Sequence, residues 1–177
     1  MRPCAQIDPM QKTLLCLGYG YTARNLAPLL LARGWRVIGT AREPVDAPGV
    51  EMITWPGEQI AWSGVTHVLN SIGPNAMGDP VLAALSREIS TIAPDLEWLG
   101  YLSTTAVYGD RGGDWVDEAT PVAPTSERGN WRALAERQWQ EIPDLPLHIF
   151  RLAGIYGPGR GPFAKLMAGK ARRIVKP

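Results

Sequence analysis

The stretch Leu14-Leu15-Cys16-Leu17-Gly18-Tyr19-Gly20-Tyr21-Thr22-Ala23 decides how this chain folds. Its first four residues form a continuous apolar run, the pattern of a strand buried on both faces of a parallel sheet. The run stops at a glycine. An amphipathic stretch follows from Tyr21 to Arg33, with Leu26, Leu29 and Leu30 on its apolar face and Gly34 just beyond its end. Strand, glycine turn and helix succeed one another directly. Pro28 predicts a kink or a shifted boundary in that helix, because proline removes one helix hydrogen bond.

The same alternation continues outward. Strands are expected at Trp35 to Thr40, Val50 to Thr54, Thr66 to Asn70, Trp98 to Ser103 and Leu147 to Leu152. Asp79 and Pro80 stand in favourable cap and first-turn positions for a helix that buries Val81, Leu82, Leu85 and Ile89. A further helix is read from Glu127 to Gln140 and a short one from Phe163 to Met167, while no clear helix separates the second and third strands. Short apolar runs joined by amphipathic crossovers predict an α/β fold, a Rossmann-type doubly wound parallel sheet with strand order 3-2-1-4-5-6. Residues 13–160 form that domain, residues 1–12 a leader without periodicity that is expected to be disordered, and residues 161–177 the start of a further region.

Composition narrows the function. Lys and Arg total 18 against 17 Asp and Glu, a net charge of +1, so no electrostatic footprint marks the chain for nucleic acid or an anionic membrane. No apolar run approaches the roughly 20 residues that cross a bilayer, and Met1 to Gln11 lacks the apolar core of a secretory signal, so a cytoplasmic location is expected. Cys16 lies in a strand and Cys4 in the leader, and both read as thiols. His67 and His148 sit inside apolar runs without Cys or His neighbours, which argues for packing rather than metal binding.

Chemistry concentrates in the glycine turn. Gly18, Tyr19, Gly20, Tyr21, Thr22 and Ala23 spell G-x-G-x-x-A between a strand and a helix. Gly18 permits the tight turn, Gly20 lets the backbone approach a pyrophosphate, and Ala23 lets the helix pack closely. The free N–H groups of the helix start then face the phosphates. At the end of the second strand stand Thr40 and Arg42, where an enzyme built for NAD usually places a carboxylate. A cation there suits a 2′-phosphate, so NADP is preferred and NAD is the alternative.

Two further stretches carry a resemblance. Ser103-Thr104-Thr105-Ala106-Val107-Tyr108-Gly109 and Arg151-Leu152-Ala153-Gly154-Ile155-Tyr156-Gly157-Pro158-Gly159, together with the glycine turn, resemble the extended short-chain dehydrogenase/reductases, the NAD-dependent epimerase/dehydratase group. The resemblance implies that Thr104 helps hold the reacting oxygen of a substrate, or is a strand-end threonine satisfied by backbone. It places Ser103 at the cofactor side and Asn70, Ser71 and Ile72 beneath the cofactor's ribose.

The chain departs from the family at its catalytic pair. Aligning Pro124 to Glu136 with the family's helix start puts Arg128 at the tyrosine position and Arg132 at the lysine position. A guanidinium stays charged and cannot serve as the usual acid–base. Arg132 is a candidate for a ribose or phosphate and Arg128 for substrate, the pair clamping a carboxylate or phosphate, unless both belong to a basic face paired with Glu127 and Glu136. Tyr108 is the nearest phenol to Thr104 and the candidate substitute acid. An atypical branch of the superfamily lacks the tyrosine and lysine, and this chain resembles it.

The resemblance implies an NADP-binding oxidoreductase or epimerase/dehydratase-like protein that acts on a small polar or sugar-nucleotide-like substrate by hydride exchange near Thr104. The alternative is a catalytically inactive dinucleotide-binding sensor or regulatory protein. Extended members continue beyond the sixth strand, so a largely absent substrate region is expected, with exposed apolar surface over residues 150–177. Relatives pair through the helices after the fourth and fifth strands, which implies a homodimer with Trp131 or Trp139 contributing. The loop from Gly109 to Glu118 lacks the ligand rhythm of a calcium site and reads as a substrate-side loop.

Overall fold

The computed structural model describes residues 11–170, apart from the Lys165 side chain. Most of the expected leader, residues 1–10, and the chain end, residues 171–177, lie outside the described residues. Six strands form one sheet: β1 (Thr13–Leu17), β2 (Arg36–Ala41), β3 (Glu51–Thr54), β4 (His67–Asn70), β5 (Trp98–Thr104) and β6 (Leu147–Leu152). Their order is β3-β2-β1-β4-β5-β6 and every pairing is parallel, as the alternation of runs predicted. The crossovers carry α1 (Tyr21–Leu31), α2 (Pro80–Ile92) and α3 (Glu127–Gln140), and α4 (Pro162–Met167) follows β6.

The two-residue period of a strand divides the core between two faces of the sheet. Leu15 and Leu17 of β1 join Ile38, Val68 and Leu99 and pack against Val81, Leu82 and Ile89 of α2 and Ala135 and Trp139 of α3. Leu14 and Cys16 point the other way and meet Ala23 and Ala27 of α1. All five residues of β1 are buried, which is why its sequence shows no alternation. Burial also pushes the Cys16 thiol up to about 12.

The helices correct several expectations. Ala23 and Ala27 are the fully buried contacts of α1, with Leu26 and Leu30 partly buried against the same cluster as expected, whereas Leu29 is 61% exposed. Small side chains let the helix axis approach the sheet, which leaves the longer ones at the margin. α1 ends at Leu31, short of Arg33, although Pro28 sits inside it and the Pro28 carbonyl accepts from the Ala32 N–H at 3.1 Å. In α2, Leu85 is only partly buried. Trp139 is wholly buried, its ring tilted against that of Tyr101 at 5.9 Å, so it belongs to the core and not to an outer face that could meet a second copy.

His67 packs as expected, whereas His148 is exposed and rests on a tryptophan ring. His67 lies 4.6 Å from the Trp35 ring and 6.4 Å from Trp98, and His148 stacks on Trp98 at 6.0 Å. Among the described residues no cluster of three His, Cys, Asp or Glu side chains is arranged to hold a metal, and no helix is long and apolar enough to cross a membrane. The exposed apolar surface expected late in the chain is present, with Tyr156, Phe163 and Met167 each at least 80% exposed.

Candidate functional site

In a sheet of this order the strands on either side of the β1–β4 boundary lead away in opposite directions, so their carboxyl ends leave a crevice. The register aligns Leu17 of β1 with Asn70 of β4 and Thr104 of β5 with Leu152 of β6, bringing four following loops to one rim. Two cavities open there. One of about 710 Å³ is lined by Gly18, Thr40, Arg42, Trp55, Ser71 and Ile72, among others. The second, about 520 Å³, is lined by Tyr21, Thr22, Ser103, Thr104, Arg132 and Arg160, among others. Gly20 and Ser71 belong to both, so the glycine turn is the saddle between them.

The turn is built by its neighbours. Gly18 has φ of +88°, and a Cβ there would stand 2.9 Å from both Ser71 Oγ and Ile72 Cγ1. Its N–H donates to Thr40 Oγ1 at 2.9 Å and the Tyr19 N–H to the Thr40 carbonyl at 2.7 Å. Ser71 Oγ donates to the Gly18 carbonyl at 2.6 Å. Gly20 differs from Gly18, because nothing stands within 4 Å of the place its Cβ would occupy. It is the N-cap of α1, and no side chain caps that helix. The first N–H groups of α1 thus face an open hollow without a partner from a capping side chain.

Such a hollow suits an anion, since backbone amides and the helix dipole both favour negative charge and a missing Cβ leaves room for it. Ala23 is fully buried beneath, as close packing requires. Tyr19 is 9% exposed, with the Arg24 guanidinium 6.0 Å from its ring.

Other predicted residues take different places. Thr40 is 1% exposed and its hydroxyl is spent inside the turn, where it also donates to the Cys16 carbonyl at 3.4 Å. Asn70 is wholly buried beneath the rim: its Oδ1 accepts from the Ile72 N–H at 3.0 Å and its Nδ2 donates to Asp79 at 3.1 Å. It therefore shapes the Ser71–Ile72 strip from below. Arg42 is exposed at the outer wall of the larger cavity.

Asp79 was legible only as a helix cap. Its Oδ1 accepts from the Val81 N–H at 2.8 Å, and its Oδ2 takes both Asn70 and the Trp139 indole N–H, the latter at 2.9 Å. Burial raises this carboxyl above the usual range against the opposing pull of those donors. One buried carboxylate thus ties α2, α3 and the strip after β4 together.

The β5 end holds a second buried cluster. Ser103 is 5% exposed and its hydroxyl donates to Glu136, which also takes Arg151 Nη2 at 2.9 Å. Arg151 Nη1 donates to the Tyr108 hydroxyl at 3.1 Å, and its guanidinium lies 4.9 Å from the Tyr108 ring. Tyr108 is 6% exposed and lines neither of the two rim cavities. Thr104 is half-buried on the smaller cavity, and its Oγ1 accepts from the Ala106 N–H at 3.3 Å, which leaves the hydroxyl proton free to be donated.

Arg128 and Arg132, four residues apart on α3, part company. Arg132 turns into the smaller cavity, where its Nη1 donates to the Tyr101 hydroxyl at 2.9 Å and the Leu102 carbonyl at 2.8 Å. Arg128 is exposed and lines neither cavity. The basic face paired with Glu127 and Glu136 does not form either, because Glu136 is committed to Arg151 and Ser103. The cation that does join Arg132 in the cavity is Arg160, which sequence analysis missed. Its only signal was a cation inside the glycine-rich turn that follows Tyr156.

No family model matches the chain. Protein YeeZ from Escherichia coli K12 is 30% identical over 180 aligned positions, covering 90% of this chain and 64% of that protein. A solved structure of a functionally unknown conserved protein from Silicibacter pomeroyi is 58% identical with a TM-score of 0.89, covering 94% of this chain and 61% of the other. The chain thus spans a little under two thirds of the length of both. UDP-glucuronic acid 4-epimerase from Bacillus cereus, in complex with NAD, superposes with a TM-score of 0.65 at 16% identity, covering 89% of this chain and 64% of the epimerase. The sheet order, the glycine turn at its crevice and these likenesses together give this chain a Rossmann-type fold, shared with that NAD-bound epimerase.

Proposed function

We propose that the chain binds a nicotinamide dinucleotide across the two rim cavities and works as an oxidoreductase or epimerase/dehydratase-like protein on a small polar or sugar-nucleotide-like substrate. The observation that carries this is Gly20, open on its Cβ side at the uncapped start of α1 and shared by both cavities. There the N–H groups of Tyr21, Thr22 and Ala23 would take the pyrophosphate. Ser71 and Ile72 would support a ribose, and Arg42 would meet the 2′-phosphate that distinguishes NADP from NAD. When bound, the dinucleotide supplies hydride exchange at its nicotinamide ring.

The protein's own groups then set the reaction. Thr104 can donate its hydroxyl proton to a substrate oxygen at the smaller cavity, a hydrogen bond that holds the reacting atom in place. Arg132 places a planar guanidinium fork at the same cavity, suited to hold a carboxylate or phosphate.

A second reading has a specific support. Tyr108, the phenol nearest in sequence, has its hydroxyl held by Arg151 outside the rim cavities, and Arg128 faces solvent. A dinucleotide sensor without turnover fits that arrangement. Fluorescence titration with NADPH and NADH, followed by a panel of carbonyl compounds and sugar nucleotides, separates the two. Binding with oxidation of the reduced cofactor supports the enzyme, and binding that no compound converts to oxidation supports the sensor. A folded sample that ignores both dinucleotides at millimolar concentration refutes both.

A further inference from the structure

We propose that the smaller rim cavity holds the anionic group of a ligand, a phosphate or a carboxylate, between the guanidinium groups of Arg132 and Arg160. This rests on the dinucleotide reading only for the source of the anion, not for the existence of the site. Both arginines line the cavity of about 520 Å³, and none of the residues lining it is acidic.

Each guanidinium is placed before a ligand arrives. Arg132 spends Nη1 on Tyr101 and Leu102, while its Nη2 lies 3.8 Å from where a Gly73 Cβ would stand, beside the Ser71–Gly73 strip. Arg160 closes a tight turn with Gly157, their backbones exchanging hydrogen bonds of 2.8 and 2.9 Å. That turn is docked on the first residue of α1. The Tyr21 hydroxyl donates to the Pro158 carbonyl at 3.2 Å, and the Arg160 guanidinium lies 5.1 Å from the Tyr21 ring. Seating a long side chain on an aromatic face removes part of the rotamer entropy that binding would otherwise cost.

The charge balance points the same way. The half-buried cation Arg151 is neutralised by Glu136 at 2.9 Å, whereas neither Arg132 nor Arg160 has an acidic partner among the described residues. Two like charges at one cavity, beside the positive end of α1, repel one another and are relieved by an anion. A guanidinium binds a carboxylate or phosphate in a bidentate fashion, and two of them select such a group over a neutral sugar or carbonyl. The anion belongs either to the dinucleotide's own pyrophosphate or to a second ligand.

The experiment is a calorimetric titration of the wild type, Arg160→Ala, Arg160→Lys and the charge control Arg87→Ala, each checked for folding by thermal melting. Inorganic pyrophosphate is the first probe, on protein without dinucleotide, and NADH the second. Arg160→Ala should weaken pyrophosphate by tenfold or more, with Arg160→Lys between it and the wild type and Arg87→Ala unchanged. If saturating NADH displaces pyrophosphate and Arg160→Ala weakens NADH as well, the anion is the cofactor's own. If pyrophosphate still binds to NADH-loaded protein in an Arg160-dependent way, the anion belongs to a second ligand. Should NADH fail to bind while pyrophosphate binding depends on Arg160, the dinucleotide reading falls and the anion site stands. Pyrophosphate affinity that is equal in wild type and Arg160→Ala, immeasurable in both, or equally reduced by Arg87→Ala overturns the proposal.

Discussion

Gly18 and Gly20, two residues apart in one turn, should respond in opposite ways to the same added methyl group. At Gly20 the backbone has φ of −89°, which any residue adopts, and the added Cβ meets nothing within 4 Å. Replacing an N-cap glycine by alanine costs roughly 1 kcal/mol at most. The smaller freedom of alanine in the unfolded chain returns about 0.4–1 kcal/mol, so the stability of Gly20→Ala should lie within about 1 kcal/mol of wild type. The methyl group would nevertheless stand in the hollow before the first N–H groups of α1. Losing one or two charge-assisted hydrogen bonds to a phosphate is worth about 1.5–3 kcal/mol each, so dinucleotide affinity should fall by about tenfold to more than a hundredfold. At Gly18 the φ of +88° costs alanine about 1–2 kcal/mol. The approach to 2.9 Å of Ser71 and Ile72 adds about 1–3 kcal/mol of overpacking. Gly18→Ala should therefore lose about 2–5 kcal/mol of stability. Urea denaturation and NADH fluorescence titration read the two quantities separately. A Gly20→Ala protein that is folded and binds NADH as tightly as wild type would refute the placement of the pyrophosphate at this saddle.

Three other perturbations have defined outcomes. Arg42→Ala should abolish any preference for NADPH over NADH and leave NADH affinity within about threefold, because an exposed side chain at the cavity wall contributes little beyond the 2′-phosphate contact; an unchanged preference in paired titrations removes Arg42 from that role. Asp79→Asn turns one acceptor shared by Asn70 and Trp139 into a donor and should cost about 1–3 kcal/mol in denaturant melts. The Asp79 carboxyl is raised, so the native state holds its proton more tightly than the unfolded chain. The stability this contributes is full below the ordinary value of 3.8 and is lost as pH rises through the raised one. The wild-type minus Asp79→Asn difference in stability should therefore shrink with rising pH, and a difference that grows would contradict the burial argument. Glu136→Gln leaves Arg151 without its counter-charge in a site where the two side chains are 4% and 18% exposed, and should destabilise by about 3 kcal/mol in urea titration. A loss below about 0.5 kcal/mol, typical of a surface substitution, would show that this pair is solvated.

Some of this protein was decided along the chain alone. The apolar run of β1, the glycines after it and the capped start of α2 are local signals, because strand burial, tight turns and helix caps depend on residues within a few positions of one another. They were sufficient for the strand order, the bounds of α3 and β6, and the place of the glycine turn at the crevice. Only the tertiary structure decided which side chains reach that crevice. Asn70 and Thr40 sit at its edge in sequence but are buried and spent on Asp79 and Gly18, whereas Arg160 arrives from 137 or more residues away to rest on Tyr21. Arg128 and Arg132 read alike as a pair, yet one faces solvent and the other turns into the cavity to meet Tyr101. Where a long polar side chain points depends on the acceptors and charges that other strands bring beside it, and those meet only once the sheet is assembled.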